Sequence, residues 1–270
     1  MDDLLLRIVV FAVIGLVSGF FSGLFSIGGG TIRMPIFIYV FPLLGIAHPI
    51  MMHVAAATSM ALVIPSAIGA TRKHYKLGDL DLGIFKTWAI GLFIGVVIGS
   101  MLLPFGSTEI LQSVFSIYII LVGLYIAFNH GRFSLGQEPP RGGKMVGLSS
   151  IVGFVAAMTG TSGGTLTTPV LSAFKMQLER AMAIASATGL ITGTVATILA
   201  IINGWNAKDL PSYTLGYVDL VIFIVMMPTV LIAAPIGVSV SHKMKERTLQ
   251  LTYAVLLIVV GLDLLRRLLF

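Results

Sequence analysis

Apolar residues run along this chain in unbroken stretches. They fall near 4–26, 34–46, 50–71, 82–104, 109–129, 145–159, 167–178, 181–202, 217–240 and 248–267. A transmembrane β-barrel would instead alternate apolar and polar positions. A helix needs about 20 residues to span a bilayer. The stretches 34–46, 145–159 and 167–178 are too short for that and read as half-helices or re-entrant arms. The pattern predicts an all-α polytopic membrane protein with broken or re-entrant helices.

Polar and glycine positions interrupt this pattern twice, in matching ways. Gly19 to Pro35 reads GFFSGLFSIGGGTIRMP and Gly153 to Pro169 reads GFVAAMTGTSGGTLTTP. At an offset of 134, Gly29–Gly30–Thr31 match Gly163–Gly164–Thr165, and Pro35 matches Pro169. Ala55 to Ser59 corresponds to Ala185 to Gly189, and at offset 138 Gly99 matches Gly237, Leu111–Gln112 match Leu249–Gln250, and Gly123–Leu124 match Gly261–Leu262. The chain therefore divides into a first transmembrane repeat over 1–129, a linker over 130–144 rich in Gly, Pro and charge, and a second repeat over 145–270. Paired Gly/Pro interruptions in two apolar halves point to a transporter's substrate site.

Charge adds orientation. Arg72, Lys73 and Lys76 lie in one loop of the first half, while the matching 203–209 holds only Lys208 against Asp209. His242 to Arg247 is basic, and its counterpart 104–110 has no Lys or Arg. Basic loops mark the cytoplasmic side. Equivalent loops thus lie on opposite sides, which makes the repeats inverted, with their breaks meeting near the bilayer midplane. Three full spans plus a broken hairpin per half fit this. Both termini are then extracytoplasmic, although Arg266 and Arg267 weigh against that.

Composition agrees with a membrane chain: 57% of residues are hydrophobic, 10% are charged, and mean hydropathy is +1.01. Soluble domains carry about 25% charged residues. No cleavable signal is evident before the first span. The absence of cysteine excludes disulfides, thiolate metal sites and cysteine nucleophiles. The net charge of +6 fits loop topology and contact with a lipid bilayer; no motif supports nucleic acid as a partner. No P-loop is present, and no cofactor is called for.

Helices that start just after a glycine break aim free N–H groups and positive dipole at the break. With hydroxyls beside them, two such breaks make a nest for an anion. Gly29, Gly30, Gly163 and Gly164 supply the breaks, with Thr31 and Thr165 directly after them. Thr161, Ser162, Thr167 and Thr168 add donors, and Thr58, Ser59 and Thr188 sit on the following helix of each half. Small residues also let helices pack closely, which is the reading taken for Gly91, Gly95 and Gly99. Arg33 is the only charged residue between Arg7 and His48, opposite Thr167 in the second half. It either pairs with a bound oxyanion or extends to an interface from a short arm. His53 either approaches the same cavity as a proton carrier or is satisfied by a backbone carbonyl. No Asp or Glu lies mid-span.

Gly160–Thr161–Ser162–Gly163 matches the G-x-S-G of intramembrane serine proteases, and so leaves an intramembrane serine hydrolase using Ser162 as an alternative. A passive anion channel is another. The series Gly15, Gly19, Gly23, Gly28, Gly29, Gly30 and Pro35, followed by Ala55 to Ser59 and a second, weaker copy, resembles the sulfite exporter TauE/SafE family. That resemblance covers nearly the whole chain. It implies a secondary transporter of small sulfur-containing oxyanions such as sulfite, thiosulfate or organosulfonates, in the inner membrane. Ser162 in place of Gly28 makes the expected site asymmetric. Direction, oligomeric state and a coupling ion, proton or sodium, are left open.

Overall fold

A computed structural model describes residues 2–128, 134–208 and 210–269. The first half forms α1 (Asp2–Phe25), α2 (Gly30–Val40), α3 (His48–Leu77), α4 (Leu82–Leu102) and α5 (Thr108–Phe128). The second forms α6 (Gly143–Met158), α7 (Gly164–Ser172), α8 (Leu178–Gly204), α9 (Leu220–Ser241) and α10 (Glu246–Leu269). An antiparallel hairpin, β1 (Thr214–Leu215) and β2 (Val218–Asp219), precedes α9. Among the described residues, seven helices are long and apolar enough to cross a membrane. The protein is an all-α polytopic membrane protein.

The element boundaries refine the hydropathy pattern. α2 and α7 begin at Gly30 and Gly164, earlier than the apolar stretches 34–46 and 167–178. The difference arises because Thr31, Arg33 and Thr165 are polar and yet helical. Gly143 and Lys144, at the end of the expected linker, already belong to α6. Linker residues 130–133 and Asp209 lie outside the described residues.

Local chemistry sets the helix ends. Asp81 caps α4 by accepting the amides of Gly83 and Ile84 at 3.0 and 3.1 Å. Asp219, its equivalent at offset 138, caps α9 by accepting the Ile222 amide at 3.0 Å. Burial pushes the Asp219 carboxyl above the ordinary carboxylate range, against the pull of the amides it accepts. α3 ends at Gly78, whose φ of 81° is open to glycine at little cost.

Glycines set the helix–helix packing, and the contacts exchange when the halves exchange. A Cβ on Gly19 of α1 would lie 2.8 Å from Val230 Cα on α9, and one on Gly153 of α6 would lie 3.1 Å from Leu92 Cα on α4. Gly99 meets Phe154, and Gly237 meets the equivalent Phe20. Gly123 of α5 meets Ala254, Leu257 and Ile258 of α10, while Gly261 meets Ser116, Ile119 and Ile120. Gly91, Gly95 and Gly99 press against backbone of α6, as close-packing glycines. Apolar side chains such as Val9, Val13, Ile90, Phe93, Ile94 and Ile98 face outward, suited to lipid.

The same contacts give helix directions. Gly15, Gly19 and Gly23 meet Met226, Val230 and Ala234 in order, so α1 runs with α9. Gly91, Gly95 and Gly99 meet Val146, Ser150 and Phe154 in order, so α4 runs with α6. Tracing the chain puts the α3–α4, α5–α6, α7–α8 and α9–α10 connections at one end, the basic end. There Leu135 N donates to Ala173 O at 2.8 Å. α6 starts from this end and α1 from the other. At that other end Arg266 pairs with Asp263 at 3.4 Å, and the Arg267 guanidinium lies 3.4 Å from the Tyr39 ring centroid.

Candidate functional site

The two helix breaks lie against each other inside the protein. A Cβ on Gly30 would lie 2.9 Å from Thr161 Cα and 3.0 Å from Gly160 O. The equivalent Cβ on Gly164 would lie 3.2 Å from Ile27 Cα and would overlap the Ser26 carbonyl. Each glycine therefore meets the same two positions of the opposite break. Gly28 lies on Ser162, whose hydroxyl donates to the Ile27 carbonyl.

The breaks are alike in place and unlike in path. Ser26, Gly28 and Gly29 have φ of 56°, 65° and 76°. In the second break Gly160, the equivalent of Ser26, has φ 64°, whereas Gly163 has φ −55°. Replacing Gly28 by Ser162 removes the residue that takes a left-handed turn readily, and the chain runs differently there.

Arg33, on the first turn of α2, is fully buried. Its Nη2 donates to the carbonyls of Gly28 and Ser59, the latter at 3.2 Å. Its Nε and Nη1 have no hydrogen-bond partner, and no carboxylate pairs with it among the described residues. The Ser59 hydroxyl, beside Gly30, is also unpartnered. The guanidinium reaches no interface. A buried, unpaired cation is costly in a membrane protein. Both edges that could make two parallel bonds include Nη2, which is already bonded, so Nε and Nη1 are each left to donate singly to an oxyanion.

A second polar group lies on the other side of α2. The hydroxyls of Thr31 and Thr165, at equivalent positions, face that of Tyr253 on α10. Tyr118 of α5 faces Thr165 and Thr161. Thr31 Oγ1, Thr165 Oγ1 and the Tyr253 hydroxyl complete no hydrogen bond of ordinary geometry. Pro35 and Pro169 have no N–H for the carbonyls of Thr31 and Thr165, four residues before them. Tyr253 also stacks on Phe25, with centroids 4.7 Å apart, and borders a cavity of about 70 Å³ with Thr168, Ser172 and Gln250 near the basic end.

The remaining expected residues are dispersed. Thr58 Oγ1 accepts the Asp219 amide at 3.0 Å, holding the start of α9. Thr188 donates to Ala185 O within its own helix at 2.7 Å, and Gly163 packs near it. Thr161 and Thr159 share a hydrogen bond of 2.9 Å, and Thr167 accepts from Trp88 at 3.2 Å. His53 lies against Tyr217, with ring centroids 5.3 Å apart, rather than beside Ser162. Sequence reading missed Tyr118 and Tyr253, whose signal was a polar tip on an aromatic ring within an apolar stretch. It also missed His74, Asp79 and His242, whose ligand-type atoms lie within 4.8 Å of one another at the basic end. Their contacts are hydrogen bonds of 2.9 Å to one carboxylate oxygen.

The family model described as sulfite exporter TauE/SafE matches residues 10–264. The chain belongs to this family. A probable membrane transporter protein of Haemophilus influenzae is 24% identical over 93% of the chain and 96% of its own length. One of Methanocaldococcus jannaschii is 24% identical over 97% of each chain. Another, of Bacillus subtilis, is 20% identical over 95% of this chain and 97% of its own. No solved structure matches the chain. Family and fold together make this a multi-pass membrane protein of a transporter family.

Proposed function

We propose that the protein is a secondary transporter of small sulfur-containing oxyanions, working by alternating access between two inverted repeats. The observation that carries this is Arg33. It is buried, unpaired at Nε and Nη1, and fixed beside the junction of two helix breaks. The Nε and Nη1 of Arg33, the Gly30 and Thr31 amides at the start of α2 and the Ser59 hydroxyl are all donors. Such a set favours an acceptor-only anion, and sulfite, thiosulfate and sulfonates present several acceptor oxygens. The sulfur class is taken from the family's description.

The hydroxyls of Thr31 and Thr165 face that of Tyr253, which borders the cavity near the basic end. The exchanged glycine contacts and the opposite starting ends of α1 and α6 support inverted repeats over 1–129 and 145–270. Rocking of one repeat against the other would expose the junction to each side in turn. The basic end is assigned to the cytoplasm of the inner membrane, with both termini outside. The test is a thermal-shift panel on purified protein with sulfite, thiosulfate, ethanesulfonate and acetate. Stabilisation by sulfur oxyanions and not by acetate is expected. No shift with any of the sulfur anions would refute the assignment.

A further inference from the structure

Ser26, the left-handed residue that opens the first break, is linked by hydrogen bonds to the basic end. Its hydroxyl lies 3.2 Å from His74 Nε2. His74 Nδ1 lies 2.9 Å from Asp79 Oδ2. His242 Nε2 lies 2.9 Å from the same oxygen, and His242 Nδ1 lies 2.9 Å from Val238 O. The αL turn at Gly78 makes this possible. It ends α3 with the Asp79 amide on the His74 carbonyl at 3.2 Å, folding the carboxylate back onto the imidazole. His74 is buried, whereas the side chains of Asp79 and His242 are 16% and 24% exposed. The path thus runs from a dry interior to water.

Donor accounting shows where an added proton fits in the network. His242 presents one ring nitrogen to a carbonyl and the other to a carboxylate, both acceptors. His74 in its Nδ1–H tautomer donates to Asp79 and accepts from Ser26. One proton shared between His242 and Asp79, beyond an ionised carboxylate and two neutral imidazoles, would give each of these contacts a donor. Losing that proton sets two acceptors face to face and breaks a link between the halves, since Asp79 follows α3 and His242 ends α9. The surrounding charged groups are Glu179 and Arg180 of α8 and Glu246 of α10, which border the same depression as Asp79.

The inner end of the path touches the proposed anion site. Ile27 O accepts from Ser162, and Gly28 O accepts from Arg33 and Ser66. Ser26 is thus next in sequence to Ile27 and Gly28, whose carbonyls hold the second break and Arg33. The equivalents of His74, Asp79 and His242 in the other half are Gly204, Tyr217 and Pro104, which carry no imidazole or carboxylate. The device therefore exists at one end only.

We infer that Ser26, His74, Asp79 and His242 form a proton-coupling site, binding one proton at the basic end and relaying its presence to the anion-binding break. The inference rests on the transport reading above and names its coupling ion. Ser26 keeps its own hydroxyl proton throughout and senses the state of the network through the hydrogen bond it donates to His74 Nε2. The order Ser–His–Asp is also that of a hydrolase triad. Ser26 is only 1% exposed, which keeps an acyl substrate from its hydroxyl.

The experiment uses proteoliposomes and two anions of constant charge over the histidine range, thiosulfate and ethanesulfonate. Wild type is expected to show anion counterflow and, with an imposed proton gradient, anion accumulation. His242→Gln and Asp79→Asn should keep counterflow and lose accumulation at least tenfold. A lumenal pH dye should report proton movement with the anion in wild type, a reading that needs no variant. Counterflow without any effect of the proton gradient, or a flat dye trace, overturns the inference and leaves the transporter intact. Accumulation retained by both variants overturns it as well. Absence of wild-type counterflow overturns both readings. A stoichiometric divalent metal in purified protein that His242→Gln releases would replace the proton by a metal.

Discussion

Gly28 and Ser162 occupy the same position of the two halves, and they touch. The pair lies where the two helix breaks meet, and its unlike members make that junction asymmetric. Ser162 ties the second break to the Ile27 carbonyl, while Gly28 leaves room for it.

This pair predicts a coupled substitution. Gly28→Ala should destabilise by about 1–3 kcal/mol, from crowding and the left-handed φ. Adding Ser162→Gly relieves the crowding but not the φ. Thermal unfolding in detergent should show partial rescue, with the double variant above Gly28→Ala. Strict additivity would mean that the two residues are not in contact.

Arg33 separates charge from geometry. Arg33→Gln should lower oxyanion affinity by about ten- to a hundredfold, the scale of roughly 1.5–3 kcal/mol for bonds to a charged group. Arg33→Lys keeps the charge and loses the planar fork, and should fall between. Titration of sulfite by calorimetry would rank the three. Equal affinity of Arg33→Gln and wild type would move the site onto backbone amides and hydroxyls.

Tyr253 links cavity and hydroxyls, so Tyr253→Phe isolates one donor. The Phe25 stack stays, and affinity should drop by about two- to tenfold, the range for a neutral hydrogen bond of roughly 0.5–1.5 kcal/mol. Thr165→Val should act similarly. A drop in unfolding temperature with unchanged affinity would make these hydroxyls structural.

The glycines divide by function in a way the sequence showed only in part. The duplicated motif identified the breaks, and the Gly91–Gly95–Gly99 row identified a packing face. Long apolar stretches gave the helices because lipid-facing and buried side chains are both apolar. The start of α2 at Gly30 was hidden, since Thr31 and Arg33 interrupt hydropathy without interrupting a helix. Arg33 stood out as a lone charge. Tyr253 and the His74–Asp79–His242 group did not, because tertiary packing alone joins α3 to α9 and α10 to the breaks. The same packing takes Thr58 to the cap of α9 and His53 to Tyr217, placements no spacing encodes.

Glycine tolerance should follow these environments. Gly147→Ala meets nothing within 4 Å and should leave stability and binding unchanged or slightly better. Gly30→Leu should abolish anion binding because its side chain enters the opposite break at Thr161. Size-exclusion profiles and thermal shifts with thiosulfate would compare both. Normal binding by Gly30→Leu would make the breaks structural only.

Topology follows from the ends of the helices. Single cysteines at Gly106 and Ala207 should react with an impermeant maleimide in intact cells, and those at Tyr75 and Met244 should not. The reverse pattern would invert the protein in the membrane. Equal labelling at Gly106 and Met244, equivalent loops of the two halves, would refute inverted repeats.

If Arg33 binds a transported sulfur oxyanion where the two helix breaks meet, flux should depend on its guanidinium. Sulfite flux into proteoliposomes containing equal amounts of wild type and Arg33→Gln tests it most directly. Saturable uptake by wild type and loss of most of it in the variant are expected. Absence of wild-type uptake, or wild-type flux from Arg33→Gln, would contradict it.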